Sequence, residues 1–450
     1  MRHETIPLRV PASSARPVIR KLITAGLAAA DPYRAIVKAL SLRGRFLRVG
    51  QKVYDLTRFN RLLVVGAGKA SARMAQAVES VLGSRLEGGF VVVKTGHRIP
   101  TTRIIVAEAG HPIPNTSGLL ATEHVLETVR SLSPRDLVLV LLSGGASSLL
   151  PAPVPGVTLA DKQRTTHVLL RSGASIEEIN IVRKHLSLLK GGGLALSTKA
   201  SIVTLILSDV MGDDIATIGS GPTAPDPTTF ADAIMVLQQR GIWRSVPDGV
   251  RRHLLKGRKG AIPETLKPRS RRLRRVQHAI IGNNSRMLDA VASAAKQAGL
   301  HPILLQDMIT GEARIAAEQF VRCAQCLMAH PHRVRRPACL IAGGEPTVTV
   351  TGRGKGGRAQ EFAVAAAFHL QGLPRVWLVA IGSDGTDGPT DAAGAVVNGR
   401  TVAQAGKMGI NLRSVLDKHD TYRVLQALGG HIHTGPTGTN VNDLYLLLFL

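Results

Sequence analysis

A lysine follows two glycines at the end of an apolar segment near residue 65, and this combination suits the binding of an anion. The stretch "LLVVGAGKASARMAQAVE" (62–79) changes there from a continuous apolar run to a helical pattern. Gly66 and Gly68 permit a tight strand-to-helix turn, and the exposed N–H groups of a helix start attract phosphate or carboxylate. Lys69 would add a positive charge. A merely tight turn fits the same residues, so this loop alone leaves both interpretations open.

The loop matches neither of two familiar phosphate-binding patterns. A P-loop needs Ser or Thr after Gly-Lys and an earlier glycine, where this chain has Ala70 and Leu63. The dinucleotide pattern G-x-G-x-x-G needs a third glycine where Ser71 stands. Glu87, the nearest candidate for a ribose-binding acid, precedes the next predicted strand instead of following it. These departures argue against a nicotinamide-binding loop.

A second loop of small polar residues follows the apolar run 137–142. In "LLSGGASSLLPAP" the glycines and serines offer backbone and hydroxyl donors without bulk, which again suits an anion. The candidate residues are Ser143, Gly144, Gly145 and Ser147. A flexible connector with serine caps is the alternative.

Basic residues crowd the predicted helix in "NIVRKHLSLLKGGGLA". Arg183 and Lys184 fit either an anion-binding role or a solvated helix face. Lys190 stands just before three glycines, as expected for the end of a helix, and needs no function.

Acidic residues follow two strongly apolar runs. Asp209 comes directly after Ser208 at the end of the run 202–207, and Asp384 and Asp387 lie in "IGSDGTDGPTDAAG". Carboxylates in such positions can hold magnesium or accept a proton from a substrate. Turn-forming Asp explains some of the neighbouring acids, including Asp213 and Asp214.

A glycine-rich basic stretch, "GGEPTVTVTGRGKGGRAQEF", lies in the second half of the chain. Its glycines and cations would form a clamp for nucleotide phosphates. The candidate residues are Gly354, Gly356, Gly357, Arg358 and Glu361. A hairpin turn with solubilising charges is the alternative.

Apolar runs alternate with helical patterns along most of the chain, which predicts an α/β fold with two domains. The first domain, expected over residues 15–250, would have a Rossmann-like parallel sheet, because its apolar runs fit strands buried on both faces. A basic linker or surface segment is expected at 251–275, followed by a second α/β domain at 276–450. Ligands collect at the carboxyl ends of parallel strands, where the polar loops above would lie.

The chain carries a formal charge of +26, since its 57 Lys and Arg residues outnumber 31 Asp and Glu residues. Such a charge invites a nucleic-acid or polyanion partner. The densest run, 251–275, has no aromatic residues for base stacking, so a solvated surface is the favoured interpretation.

The cysteines and the hydropathy pattern point to a cytoplasmic protein without a membrane span. Cys323, Cys326 and Cys339 provide no disulfide framework, which favours a reducing compartment. Cys323 and Cys326 form a single C-x-x-C in a helical pattern without a second pair for zinc. No stretch approaches 18 uninterrupted apolar residues. The Arg-rich, acid-poor beginning also fits a mitochondrial transit peptide.

Taken together, the motifs resemble the glycerate 2-kinase family. "GAGKAS", "LSGGASSLL", "NIVRKHLSLLKGG", "LSDVMGDD", "SGPTAPDPTT", "GGEPTVTVTGRGKGGRAQEF", "SDGTDGPTDAAGA" and "TGPTGTNVNDL" occur in the family's order across about residues 20–446. The resemblance implies an amino-terminal glycerate-kinase domain and a MOFRL-type domain from about residue 335, with the active site in the cleft between domains. It also implies transfer of the γ-phosphate of ATP to the 2-hydroxyl of D-glycerate, with Mg²⁺, to give 2-phosphoglycerate and ADP.

The resemblance also implies roles for individual residues. The residues implied for catalysis are Lys69, Asp209 and Arg358. Those implied for substrate binding are Ser143, Gly144, Gly145, Ser147, Arg183 and Lys184. Those implied for ATP binding are Gly66, Gly68, Lys69, Gly354, Gly356, Gly357 and Glu361. Those implied for Mg²⁺ are Asp209, Asp384 and Asp387.

One departure from the family pattern is Ala359, where the family commonly has Asn, so the side-chain amide that could form a hydrogen bond there is removed. Two alternatives to the kinase are an NAD(P)H-dependent hydroxypyruvate reductase and a basic nucleic-acid- or polyanion-binding protein. The resemblance favours the kinase over both. A homodimer is compatible with the sequence, which does not specify the oligomeric state.

Overall fold

The computed structural model describes residues 6–329 and 335–450. Contacts between residues group the chain into two compact units. One unit is Pro32–Ile281, and the other joins residues 6–31 to Gly282–Leu450. We call them the inner unit and the outer unit, according to their place in the chain order.

Strands and helices alternate along both units. The strands are β1 (Leu40–Arg43), β2 (Phe46–Val49), β3 (Lys52–Asp55), β4 (Arg61–Ala67), β5 (Gly88–Lys94), β6 (Ile104–Ala109), β7 (Asp136–Leu142), β8 (Ser201–Leu207), β9 (Val276–Gly282), β10 (His301–Leu304), β11 (Ala338–Gly344), β12 (Val376–Gly382), β13 (Gly394–Asn398), β14 (His431–Ile432) and β15 (Asp443–Phe449).

The α-helices are α1 (Arg16–Ala30), α2 (Pro32–Ala39), α3 (Ser71–Leu82), α4 (Thr116–Arg130), α5 (Ala146–Leu149), α6 (Leu159–Arg171), α7 (Ile176–His185), α8 (Gly193–Leu196), α9 (Phe230–Gln239), α10 (Asp248–Arg258), α11 (Asn284–Gln297), α12 (Ala313–Met328), α13 (Arg358–Leu370), α14 (Thr401–Lys407), α15 (Leu412–Lys418) and α16 (Thr421–Ala427). Short 3-10 helices occur at Leu56–Arg58, Gly83–Arg85, Met211–Asp213, Ile218–Ser220 and Arg271–Arg275.

The main sheet of the inner unit has the strand order β6-β5-β4-β7-β8-β9. The neighbours from β6 to β8 pair in parallel. Numbered within the sheet, the order is 3-2-1-4-5-6, which is that of a Rossmann fold. β7 is buried along its whole length, as its continuous apolar run predicts for a strand covered on both faces. The Rossmann-like parallel sheet expected from the sequence is therefore confirmed.

The strand order reverses between β4 and β7, which places a topological switch point there. Ala67 and Leu142, the last residues of these strands, are partners in the pairing register. The loops that follow both strands therefore leave the same edge of the sheet side by side. Crevices outside such a point are where open α/β sheets bind ligands.

The sheet of the outer unit is mixed, with the order β10-β11-β15-β12-β13-β14. β10 and β11 are parallel, and the other neighbours are antiparallel. Asp443 at the start of β15 pairs with Gly344 and Gly382, the last residues of β11 and β12. Three strand ends from distant parts of the sequence therefore meet at one edge.

Two segments differ from the domain limits expected from the sequence. The first helix, α1, packs on α11 and belongs to the outer unit. Residues 251–275 lie within the inner unit, where Leu254 and Leu266 are buried in its cores. The reason is that apolar residues are spaced among the arginines and anchor this segment. The domain limits given above stay a prediction.

Cys323 and Cys326 lie on α12, and Cys339 lies on β11. Across residues 6–329 and 335–450, no helix is long and apolar enough to cross a membrane.

Candidate active site

The loops after β4 and β7 form one hydrogen-bonded structure in the inner unit. The Lys69 N–H donates to the Gly144 carbonyl (2.9 Å), and the Ala70 N–H donates to Ser143 Oγ (3.0 Å). Gly68 has φ +137°, and a Cβ there would stand 2.1 Å from Ser143 Oγ. Only glycine fits this close approach. Lys69 and Ser143, both predicted from the sequence, are therefore brought together.

His111 completes the surroundings of this structure and was not predicted from the sequence. It follows β6, and a Cβ on Gly145 would lie 3.0 Å from His111 Nε2 and 3.6 Å from Lys69 Cγ. Burial, and then the positive charge of Lys69, lowers the pKa of His111 to about 4. The imidazole is therefore neutral at pH 7. The sequence could have indicated His111, because "GHPIPN" (110–115) is a polar segment that follows an apolar run, as the Lys69 and Ser143 loops do.

Ser147 is fixed through both its side chain and its carbonyl. Its Oγ lies 2.7 Å from Ser220 Oγ, and the Ser220 hydroxyl donates to Asn180 Oδ1 (3.0 Å). Arg183 Nη2 donates to the Ser147 carbonyl (3.4 Å). The structure thus brings the predicted residues Ser147 and Arg183 together and adds Asn180 and Ser220, which sequence reasoning missed.

Lys184 has a partner inside the fold. Its Nζ lies 3.4 Å from Asp226 Oδ1, and both side chains are buried. Thr228 and Thr265 also donate to this carboxylate. Burial works to raise the pKa of Asp226, but Lys184 and the hydroxyls lower it further than burial raises it. The charge of Lys184 thus serves an internal ion pair, unlike that of Arg183.

Asp209 follows β8, at the sheet edge that also carries the Lys69 loop. Its side chain is half-buried. The neighbouring Asp214 accepts hydrogen bonds from the Ala216 N–H (3.1 Å) and the Thr217 hydroxyl (2.6 Å). Asp214 is accounted for by this turn.

The outer unit contains a pocket of about 470 Å³ beside the glycine-rich stretch. It collects all the site residues predicted in this half of the chain. Its lining includes Gly354, Gly356, Gly357, Arg358, Glu361, Asp384 and Asp387, together with Val348, Val350 and His419.

Arg358 is held by two carboxylates. Its Nε and Nη2 donate to the two oxygens of Asp443 at 2.7 and 3.0 Å, and its Nη1 donates to Glu345 (2.6 Å). Burial raises the pKa of Asp443 to about 6, against the lowering effect of Arg358. Burial opposes the charge of the guanidinium, but both carboxylates raise the pKa of Arg358 above its usual value. Asp443 and Glu345 were not predicted.

Asp387 caps the first turn of α13. Its carboxylate accepts from the Ala359 N–H (3.0 Å) and the Gln360 N–H (2.8 Å), where a helix leaves donors without partners. Burial raises the pKa of Asp387, against these hydrogen bonds. The Asp384 Oδ1 accepts from the Thr386 N–H (3.1 Å) in a tight turn. Ala359 itself is fully buried in the apolar core of the unit.

Glu361 lies in a buried network. Arg314 Nε donates to it (2.6 Å), and His419 Nδ1 lies 3.1 Å from each of its oxygens. His419 Nε2 accepts from the Thr351 N–H (3.2 Å), which ties the network to the glycine-rich stretch. Glu361 therefore orients the pocket wall.

Across residues 6–329 and 335–450, no group of three His, Cys, Asp or Glu side chains is arranged to hold a metal ion. Asp384 and Asp387 both line the pocket, while Asp209 lies in the other unit. Oxygen donors of this kind suit Mg²⁺, which commonly takes one or two carboxylates together with water and nucleotide phosphates.

These features define an α/β protein whose Rossmann-type sheet carries a lysine and small polar loops at its switch point. Residues 18–255 match the family described as "Domain of unknown function (DUF4147)", and residues 338–443 match the MOFRL family. A glycerate 2-kinase of Pyrococcus horikoshii is 39% identical over 429 residues, which are 95% of this chain and 96% of that protein. The crystal structure of a glycerate kinase from Thermotoga maritima, 39% identical, matches with a TM-score of 0.86 over 97% of this chain and 100% of that chain. The chain belongs to the glycerate 2-kinase family.

A protein of Agrobacterium vitis named a putative hydroxypyruvate reductase is also similar. It is 40% identical over 438 residues, covering 97% of this chain and 94% of that protein. Kinase and reductase are names for different reactions. The loop after β4 helps to distinguish them, because a nicotinamide-dependent reductase would need a dinucleotide-binding loop.

Proposed function

We propose that the protein is an ATP-dependent glycerate 2-kinase, which transfers the γ-phosphate of ATP to the 2-hydroxyl of D-glycerate. The observation that carries this proposal is the joined Lys69–Ser143 structure at the switch point of the sheet. It offers a cation and hydroxyls to an anion, and Ser71 replaces the third glycine of a dinucleotide loop. This chemistry supports phosphoryl transfer over hydride transfer.

Phosphoryl transfer asks a protein chiefly to align two oxygens and to neutralise spreading negative charge. Lys69 would neutralise phosphate oxygens, and Arg183 with Ser143 and Ser147 would hold the glycerate. The 2-hydroxyl oxygen attacks the γ-phosphorus, the bond to the bridging oxygen of ADP breaks, and Asp209 takes the hydroxyl proton. The pocket beside Arg358 would hold the nucleotide, with Gly354, Gly356 and Gly357 against its phosphates.

Mg²⁺ would be held by Asp384, with Asp387 and Asp209 as further candidate ligands, because their carboxylate oxygens match its preference. The ion would supply positive charge that neutralises the phosphates. Asp387 already accepts hydrogen bonds from two backbone N–H groups, so it fits this role less well than Asp384.

The test is to incubate the purified protein with D-glycerate, ATP and Mg²⁺ and to identify the product by phosphorus NMR. Lys69→Ala should lower kcat/KM by about 100-fold or more, as expected for loss of a charge that stabilises the transition state. Lys38→Ala, at an exposed lysine on α2 of the same unit, is the matched control and should keep the wild-type rate.

Each outcome leads to a different conclusion. 2-Phosphoglycerate supports the proposal, and 3-phosphoglycerate would keep a kinase of different regiospecificity. Absence of either product, with NADH oxidised when hydroxypyruvate is added, would replace the kinase by a reductase. The cytoplasmic location stays a prediction.

A further inference from the structure

The serine loop, which we define as residues 143–150, ends in a helical turn with carbonyls that lack ordinary partners. In α5 the carbonyl of Ser147 would accept from the N–H four residues later, but that residue is Pro151, which has none. A buried carbonyl without a donor destabilises a fold, so another group must supply one.

Cationic side chains supply the missing donors. Lys190 Nζ donates to the Ser147 carbonyl (2.6 Å) and to the Leu150 carbonyl (3.3 Å). Arg183 reaches the same Ser147 carbonyl, and Lys162 Nζ donates to the carbonyl of Pro151. Three cations from two helices and the segment after them therefore meet at the end of the serine loop.

Burial of these cationic side chains costs free energy, because it removes them from water. Lys190 is 2% exposed and Lys162 is 8% exposed. In the part of the chain that the structure describes, none of the three forms an ion pair with a carboxylate within 4.0 Å. Burial and then Arg183 lower the pKa of Lys162 to about 7 and also lower the pKa of Lys190, where Lys162 adds to the effect. An anion bound nearby would favour the charged forms of these lysines and oppose the lowering of their pKa values.

Backbone strain at Ser220, beside the serine loop, also indicates a ligand site. Ser220, which contacts the Ser147 hydroxyl, has φ +61° although it is not glycine, and it is 1% exposed. Strained residues of this kind cluster at ligand sites. Lys190 thus fixes the main chain of Ser147 while Ser220 fixes its side chain.

We propose that Lys190 is a positioning residue that holds the serine loop in its anion-binding conformation through hydrogen bonds to the Ser147 and Leu150 carbonyls. The ligand it prepares for is an anion of the carboxylate or phosphate class, which under the proposed function is D-glycerate. This inference therefore rests on the proposed function for its ligand but not for its structural effect.

The test uses the full chain and three variants. Lys190→Met removes the donor, Lys190→Gln keeps a neutral donor, and Lys267→Met is the matched control. Lys267 also donates to a backbone carbonyl, that of Thr228, in the same unit. Hydrogen exchange followed by mass spectrometry reports on residues 143–152, and steady-state kinetics give KM for D-glycerate and kcat separately.

Lys190→Met should raise exchange in residues 143–152 and raise KM for D-glycerate by about 10-fold or more, with a smaller change in kcat, since two hydrogen bonds to loop carbonyls are lost. Lys190→Gln should restore both values towards those of the wild type, and Lys267→Met should change neither. A merely structural lysine would lower thermal stability without this pattern in KM.

Wild-type exchange and KM in Lys190→Met would overturn the proposal, as would a Lys190→Gln variant that folds yet behaves like Lys190→Met. If Lys190→Met does not fold, Lys190→Gln is compared with the wild type, and its weaker neutral donor should raise the exchange of residues 143–152 and KM together; a rise in only one of them, or in neither, would overturn the proposal. If the wild type phosphorylates no glycerate, the proposed function fails, and the exchange of residues 143–152 still decides whether Lys190 positions the loop.

Discussion

The candidate sites of the two units differ in how their charges are balanced. At the serine loop of the inner unit, Lys162, Arg183 and Lys190 contact carbonyl groups. In the pocket of the outer unit, Arg358 contacts two carboxylates, and Glu361 is held by Arg314 and His419. The inner site therefore has the guanidinium of Arg183, which has no carboxylate partner in the described residues, to offer an anion, whereas Arg358 and Glu361 of the outer pocket are already paired within the unit. A small anionic substrate suits the former, and a nucleotide that brings its own cation suits the latter.

The largest effect is expected from removing the Arg358–Asp443 ion pair of the outer pocket, and the contrast between the two sites fails if stability does not depend on this pair. Arg358→Ala leaves the buried Asp443 carboxylate without its partner and should lower the free energy of unfolding by about 3–5 kcal/mol. Urea unfolding measures this. The double variant Arg358→Ala, Asp443→Asn should recover part of the loss, since the unpaired charge is removed. Equal stabilities of the wild type and Arg358→Ala would contradict the ion-pair interpretation.

The inner site depends on close backbone approach, which Gly68→Ala should disrupt. The new Cβ would meet Ser143 Oγ at 2.1 Å and the Ser143 carbonyl oxygen at 2.5 Å, with φ at +137°. We expect a loss of about 3 kcal/mol in the free energy of unfolding, from overpacking added to backbone strain. Gly96→Ala is the matched control, because its φ is +83° but open space surrounds it. Similar losses in both variants would show that φ alone matters.

Acid should weaken both units through half-buried neutral histidines. Burial lowers the pKa of His111 in the inner unit and of His431 in the outer unit to about 4. Their unfolded pKa is about 6.5, so the unfolded chain binds more protons below that value. Stability should be complete above pH 6.5 and fall as the pH drops towards 4.

Thermal unfolding at pH 7.5 and at pH 4.5 measures this effect. The double variant His111→Gln, His431→Gln should show a smaller difference between the two melting temperatures than the wild type. His301→Gln, at an exposed histidine, is the control. An unchanged difference in the double variant would remove these histidines from the explanation.

The smallest effect is expected from the basic surface of residues 251–275. Replacing the exposed Arg269, Arg271 and Arg274 by Gln should change kcat/KM by less than about twofold, because surface changes away from a site are nearly neutral. A polyanion-binding protein would instead lose salt-dependent affinity for RNA in this variant. Filter binding of labelled RNA at two salt concentrations distinguishes the two results.

The sequence predicted the features that depend on local order. Continuous apolar runs predicted the buried parallel strands, and the glycines after β4 and β7 predicted the two loops that the structure joins. The Rossmann order then makes these loops neighbours, although about 75 residues separate them in the chain.

Residues that act through long-range pairing were not predicted. Asp443 begins an antiparallel strand, and only the insertion of β15 between β11 and β12 brings it to Arg358. Lys190 fitted the ordinary pattern of a helix end, and its contact with Ser147 depends on a proline 39 residues earlier. Local patterns do not encode such pairings. The roles proposed for individual site residues stay predictions.

The packing of α1 on a helix far along the chain affects how the protein can fold during synthesis. Its partner helix α11 begins at Asn284, and the Ala30 carbonyl accepts from the Thr439 hydroxyl. During synthesis α1 leaves the ribosome about 250 residues before α11, so the helix on which it packs is not yet made. Since domains generally fold as they emerge, the inner unit can fold first, while α1 still lacks its partner helix α11. A chaperone that covers apolar helices would therefore be expected to act on the nascent chain at α1.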